Sequence, residues 1–129
     1  MDERTITALR PWFPDLDFVR VRLVHSGPMS WFVRAILRQG AMTIAPYIFF
    51  GRHHYDPASP RSLALLAHEL RHIEQYAEMG HLRFLFTYAR DRIRAGKYSR
   101  NLPLEAGPYA LQDEVRLALQ PPDSDNRNV

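Results

Sequence analysis

His68-Glu69-Leu70-Arg71-His72 sits inside residues 61–79, a run whose apolar positions recur with helical periodicity. Two histidines four positions apart stand one above the other on a single helix face. Their imidazoles can therefore converge on one metal ion. Glu69 lies about 100° further round the helix than His68, which places it beside such an ion rather than on it, where it can hold a water. The HExxH spacing is the one at which two His and a Glu work on zinc and water together.

The ends of this helix are legible. Ser59 is a good N-cap and Pro60 suits the first helical position, where no N–H is needed. Gly80 follows Met79 and closes the run. At about 100° per residue, Leu63, Leu66, Leu70, Ile73 and Ala77 gather on one side. His68, His72, Gln75 and Met79 gather on another, with Glu69 and Tyr76 beside them, while Arg71, Glu74 and Glu78 face a third way. Histidines placed by chance on a solvated face would fall among the charges; these do not. Gln75 stands on the metal face, two turns past His68, where it can orient a ligand or tie two helices together.

Upstream, residues 5–10 suit a short helix stopped by Pro11 and Pro14, with Trp12 and Phe13 entering the core. Residues 17–24 alternate, with Val19, Val21 and Leu23 on one side and Arg20 and Arg22 on the other, and predict a half-buried strand. Residues 29–39 suit a helix ending at Gly40. Residues 41–50 are β-branched and aromatic and predict one strand, in which Pro46 requires an edge or a bulge. Such an edge could receive an extended peptide. Residues 51–59 form a polar loop with the adjacent pair His53-His54, whose side chains point apart and suit a solvated loop better than a second metal site. His25 is read as an ordinary strand-end residue.

Downstream, residues 81–97 predict a second helix with Leu82, Leu85, Phe86, Ala89 and Ile93 as its apolar stripe and Arg83, Arg90, Arg94 and Lys97 on an opposite face. Gly96 ends it. A last helix opens at Asn101-Leu102-Pro103-Leu104 and runs toward Leu119, where Pro121-Pro122 stops it. Two histidines do not complete a catalytic zinc site, which has three protein ligands and an open position. Glu105, at the start of the last helix and 33 residues past His72, is the best candidate third ligand. Asp91 lies near an Arg-rich helix side, Asp113 and Glu114 two turns beyond Glu105, and two further acids in the tail.

Composition bounds the rest. The 129 residues suit one domain, expected over 1–120, with a disordered polar tail over 121–129. Hydrophobic content of 46% is enough for a core without staples. The chain has no cysteine, so disulfides and thiolate-held zinc are excluded. No apolar run reaches the 18 residues of a membrane span. No signal-peptide core follows the N-terminus, so a cytoplasmic chain is expected, with specialised export left open. Sixteen arginines and Lys97 give a net charge of +3. They are dispersed, and no nucleic-acid partner is expected.

His68-Glu69-x-x-His72-x-x-Gln75 taken with Leu102-Pro103-Leu104-Glu105 resembles the gluzincins, and more narrowly the small bacterial minigluzincin-like domains, over roughly residues 40–112. The resemblance implies an α+β, minimal zincin-like fold: a small sheet, an active-site helix and two further helices. It implies zinc held by His68, His72 and Glu105, with a peptide or protein as substrate. Glu69 would be the general base and Tyr109, one turn past Glu105, a donor to the developing oxyanion, with Tyr98, Tyr76 and His81 as rivals. The alternative is a zincin-fold module that binds and cleaves nothing. One position departs from the pattern. Where such domains carry a small residue three past the Glu, this chain has Pro108, after Gly107, which predicts a kinked or restarted helix.

Overall fold

The computed structural model describes residues 1–33, 40–51, 56 and 58–120. The expected disorder of 121–129 and the reading of His53 and His54 fall outside them.

The chain opens with α1 (Glu3–Leu9), capped by the Asp2 carboxylate, which accepts from the Thr5 N–H at 2.7 Å. A 3-10 turn at Arg10–Trp12 follows, and Phe13 is fully buried. Residues 17–24 depart from the expected strand. Phe18–Arg20 is a second 3-10 turn and only Arg22–Val24 is extended, as β1. The cause is local: the Asp17 carboxylate accepts from the Val19 N–H at 3.2 Å and bends the backbone into a turn. Phe18 is thereby buried and Val19 left 79% exposed, which breaks the alternation. Helix α2 (Pro28–Phe32) is the described part of the helix expected over 29–39; its expected end near Gly40 depends on residues outside the description.

The single strand expected over 41–50 is a hairpin, β2 (Ala41–Ile44) and β3 (Tyr47–Phe50), with Ala45 and Pro46 at its turn. Pro46 thus occupies the reversal rather than an edge or bulge, where its missing N–H costs no ladder bond. Its carbonyl accepts from Arg22 N at 2.9 Å. The sheet order is β1-β3-β2, with β1 parallel and β2 antiparallel to the central β3. Ala41 and Thr43 alternate with Ile48 and Phe50 to form one buried face, set against the long helix.

That helix, α3 (Pro60–Met79), has the predicted ends. Ser59 Oγ accepts from Ser62 N at 3.3 Å, and Gly80 takes φ of 82°, a region open to glycine, while its N–H bonds Tyr76 O at 2.8 Å. Gly80 also begins α4 (His81–Ala95), so one residue reverses the chain. Helix α5 (Pro103–Leu119) packs along α3. Leu66, Leu70, Leu9, Phe13, Ile48 and Val115 close the core between helices and sheet. The result is the α+β arrangement expected, with three strands among the described residues and helices around α3.

The apolar stripe expected on α4 is not the face it buries, and the restart named as one outcome at Pro108 does not occur. Phe84 is the buried residue of α4; Leu82, Phe86 and Ile93 are 85, 71 and 79% exposed. The aromatic face of α4 wins the contact because α3 offers rings there: Phe84 stacks on Tyr76 at 3.9 Å and meets His72 edge-on at 5.8 Å. Helix α5 also runs without restart through Pro108.

Candidate metal centre

His68 and His72, one turn apart on α3, meet Glu105 from the first turn of α5. Glu105 Oε1 lies 3.4 Å from His68 Nε2 and 2.5 Å from His72 Nε2. One ligand atom from each of the three falls within 4.8 Å of the others. All three residues are buried. The third position inferred from the sequence is thus brought to the two histidines, and of the rivals among the described residues, Asp91, Asp113 and Glu114, none joins them. Asp113 pairs with Arg100 at 2.9 Å, and Asp91 pairs with Arg90 at 3.3 Å.

Each imidazole is held from behind. His68 Nδ1 lies 2.9 Å from Gln112 Oε1, and His72 Nδ1 lies 2.8 Å from Gln75 Oε1. An amide oxygen only accepts, so each Nδ1 carries the proton and each Nε2 of a neutral ring is left with a lone pair. Those lone pairs point at Glu105 Oε1, a buried oxygen with no hydrogen-bond donor among the described residues. Three acceptors facing one another require a cation between them, a proton or a metal ion. Two imidazoles and a carboxylate, each oriented by an outer hydrogen bond, are a donor set that fits zinc.

The proton's claim on this place is visible in the charges. Burial works against an ionised His72, but its contact with Glu105 and the negative charges of Glu69 and Glu105 outweigh burial and raise its pKa. Burial likewise disfavours the Glu105 carboxylate. Contacts from His68, His72 and Tyr98 outweigh it and bring the pKa down to about 2.

Gln75 holds both helices. Its Oε1 takes His72, and its amide nitrogen donates to Leu104 O at 3.2 Å. In an unbroken helix that carbonyl would accept from residue 108, but residue 108 is proline and has no N–H. The proline thus leaves an acceptor that Gln75 uses. The early position of Pro108 in α5, in its second turn, lets the helix continue past it.

Glu69 is buried, and its Oε2 accepts from Thr43 Oγ1 at 2.6 Å. The Thr43 carbonyl in turn accepts from Tyr76 Oη at 3.1 Å, so β2 and α3 are tied on both sides of this residue. Burial, with the nearby Glu69 charge, pushes the Tyr76 phenol up to about 12. Tyr109 packs its ring against His68 at 4.4 Å, edge-on. Its hydroxyl lies 2.5 Å from Tyr98 Oη, and Tyr98 donates to Glu105 Oε2. Burial and the bond to Glu105 raise the pKa of Tyr98, which keeps it a donor. His81 lies elsewhere, with Nε2 2.7 Å from Ala45 O at the hairpin turn.

These groups line a cleft of about 830 Å³ walled by β2, α3, α4 and α5. Thr43 and Gln112 escaped the sequence reading. Gln112 left a signal, because it lies seven residues past Glu105 and so on the same face of α5. Thr43 left none, since nothing local marks which strand residue faces a helix 26 positions away.

The segment carrying the HExxH helix is also matched by a family model. The match covers residues 1–80, which includes His68, Glu69 and His72 and stops before Tyr98, Glu105 and Tyr109. No curated protein and no solved structure matches the chain. With more than half of its length matched by that model, the chain belongs to the eCIS core domain family.

Proposed function

We propose that this protein is a zinc-dependent peptidase whose ligands are His68, His72 and Glu105 and whose general base is Glu69. The observation that carries the reading is the meeting of two imidazole lone pairs with an undonated carboxylate oxygen, beside the buried Glu69 in an open cleft. The family, found in extracellular injection systems, is zincin-like and metallopeptidase-related, which supports the same reading. A bound zinc ion supplies a lowered pKa for water and a polarising charge for a carbonyl.

The chain's own groups supply the rest. Glu69 takes the proton of the attacking water and returns it to the leaving amine. Thr43 holds one Glu69 oxygen, which fixes the carboxylate and leaves its other oxygen for that transfer. Tyr109, whose proton is engaged only with a neighbouring hydroxyl, turns to the developing oxyanion. Strand β2 is a sheet edge along the cleft. Its Thr43 carbonyl is taken by Tyr76; by the period of two, the outward groups of Ala41 are left for an extended peptide.

The test is Glu69→Gln, which keeps size and hydrogen bonding but removes the base. The variant should bind zinc and melt like the parent, yet lose turnover of a peptide library by about 10²-fold or more. Equal turnover in the two proteins would refute the assignment of Glu69, and a parent that binds zinc but cleaves nothing would favour a binding module.

A further inference from the structure

We propose that the outward face of α4 docks on an anionic lipid surface. The proposal stands apart from the peptidase reading and rests on a face of α4 that meets the cleft only at Leu85 and Arg92. At about 100° per residue, Leu82, Leu85, Phe86, Ala89 and Ile93 fall within an arc of about 100°. That arc lies opposite Phe84, which holds α4 to the domain. Leu82, Ile93 and Phe86 are 85, 79 and 71% exposed, and nothing among the described residues covers them. An apolar ridge of this length on the outside of a helix marks an interaction surface rather than scattered surface residues.

The chemistry of the flanks identifies the occupant. Arg83, Arg90 and Arg94 run exposed along one side of the ridge, while Arg92 on the other is half-buried and lines the cleft. The helix contains one acidic residue, Asp91, and its side chain is mostly buried and paired with Arg90. A second copy of the chain would set two rows of arginines against each other with no acid to neutralise them, which disfavours a self-dimer. The ridge carries no polar side chain that could read a particular protein surface. An anionic bilayer asks only for apolar side chains to enter the headgroup boundary and for guanidinium groups to meet phosphates, and this helix offers both. The opposite side of α4, through Phe84 and Tyr88, walls the cleft, together with Leu85 and Arg92 at one edge of the ridge. Docking would therefore bring that edge of the cleft toward the lipid plane.

The experiment is flotation of the full chain with vesicles of phosphatidylcholine alone and of phosphatidylcholine mixed with phosphatidylglycerol, at physiological salt. The parent should float with the mixed vesicles and not with the neutral ones. Phe86→Ser with Ile93→Ser should weaken binding by about tenfold or more, in keeping with the loss of two inserted apolar side chains. Arg83→Glu with Arg94→Glu should abolish it. All four positions are exposed, so the variants should melt like the parent; Leu82→Ser serves if one does not. Failure of the parent to bind mixed vesicles overturns the proposal. So does full binding by the double serine variant, which would reduce the effect to adsorption of a basic protein. Dimerisation of the parent that the serine variant abolishes would assign the ridge to a second copy and overturn it as well.

Discussion

At His72 the Nδ1 proton is committed to Gln75, and Nε2 faces a carboxylate that can only accept. In the metal-free protein the gap is closed by protonating the ring, and this makes stability depend on pH. The folded pKa of His72 is raised above its ordinary 6.5, so its contribution is complete below about 6.5 and is lost as pH rises through the folded value. Glu105 is lowered from 4.5 to about 2, so its contribution is complete above about 4.5 and is lost as pH falls toward 2. Chelated protein should therefore melt highest between those limits and lose melting temperature as pH rises beyond 6.5. Glu105→Gln should remove most of that alkaline loss, and thermal melts across the pH range measure it. Metal affinity should move the other way and rise with pH, because the ion replaces the proton. The histidine pair could be read from spacing alone, since four residues of helix fix which side chains share a face. That their Nδ1 protons are pinned by Gln75 and Gln112 could be read only in part, because a hydrogen bond between helices depends on how those helices cross.

Elements whose ends are marked by their own residues agree with the sequence: Ser59, Pro60 and Gly80 bound α3, and Gly96 closes α4. Elements decided by a competing local cap or by what packs against them do not. Residues 17–24 alternate like a strand, yet an aspartate cap turns half of them. The apolar stripe of α4 has helical spacing, yet rings on α3 select the aromatic side. Pro108 is the informative case, because the same missing N–H that predicts a broken helix supplies the acceptor for Gln75. Pro108→Ala restores a donor to Leu104 O and sets it in competition with the Gln75 amide. It should leave the helical circular-dichroism signal intact or slightly stronger, while zinc affinity by chelator competition falls severalfold. Gln75→Ala, which removes the His72 partner outright, should cost about 10–100-fold. An unchanged affinity in both variants would mean that the link from Pro108 to His72 does not hold.

For the whole molecule, the core and the outward ridge of α4 divide the apolar residues into two classes with opposite mutational behaviour. Leu70, fully buried between α3 and the sheet, should cost about 2–5 kcal/mol when cut to alanine. Ile93→Ala, on the ridge, should stay within about 0.5 kcal/mol. Denaturant titrations compare them directly, and a large loss at Ile93 would mean that the ridge is covered. The same architecture places β2, α3 and α5 so that one cleft holds Thr43, Glu69, both histidines and Glu105. The most direct measurement of that arrangement is zinc content per chain after purification in metal-limited buffer. The parent should hold a single equivalent, and His68→Ala, His72→Ala and Glu105→Ala should each lose it while keeping the parent's helical signal. Full stoichiometry in Glu105→Ala would contradict the account, because it would place the third ligand elsewhere.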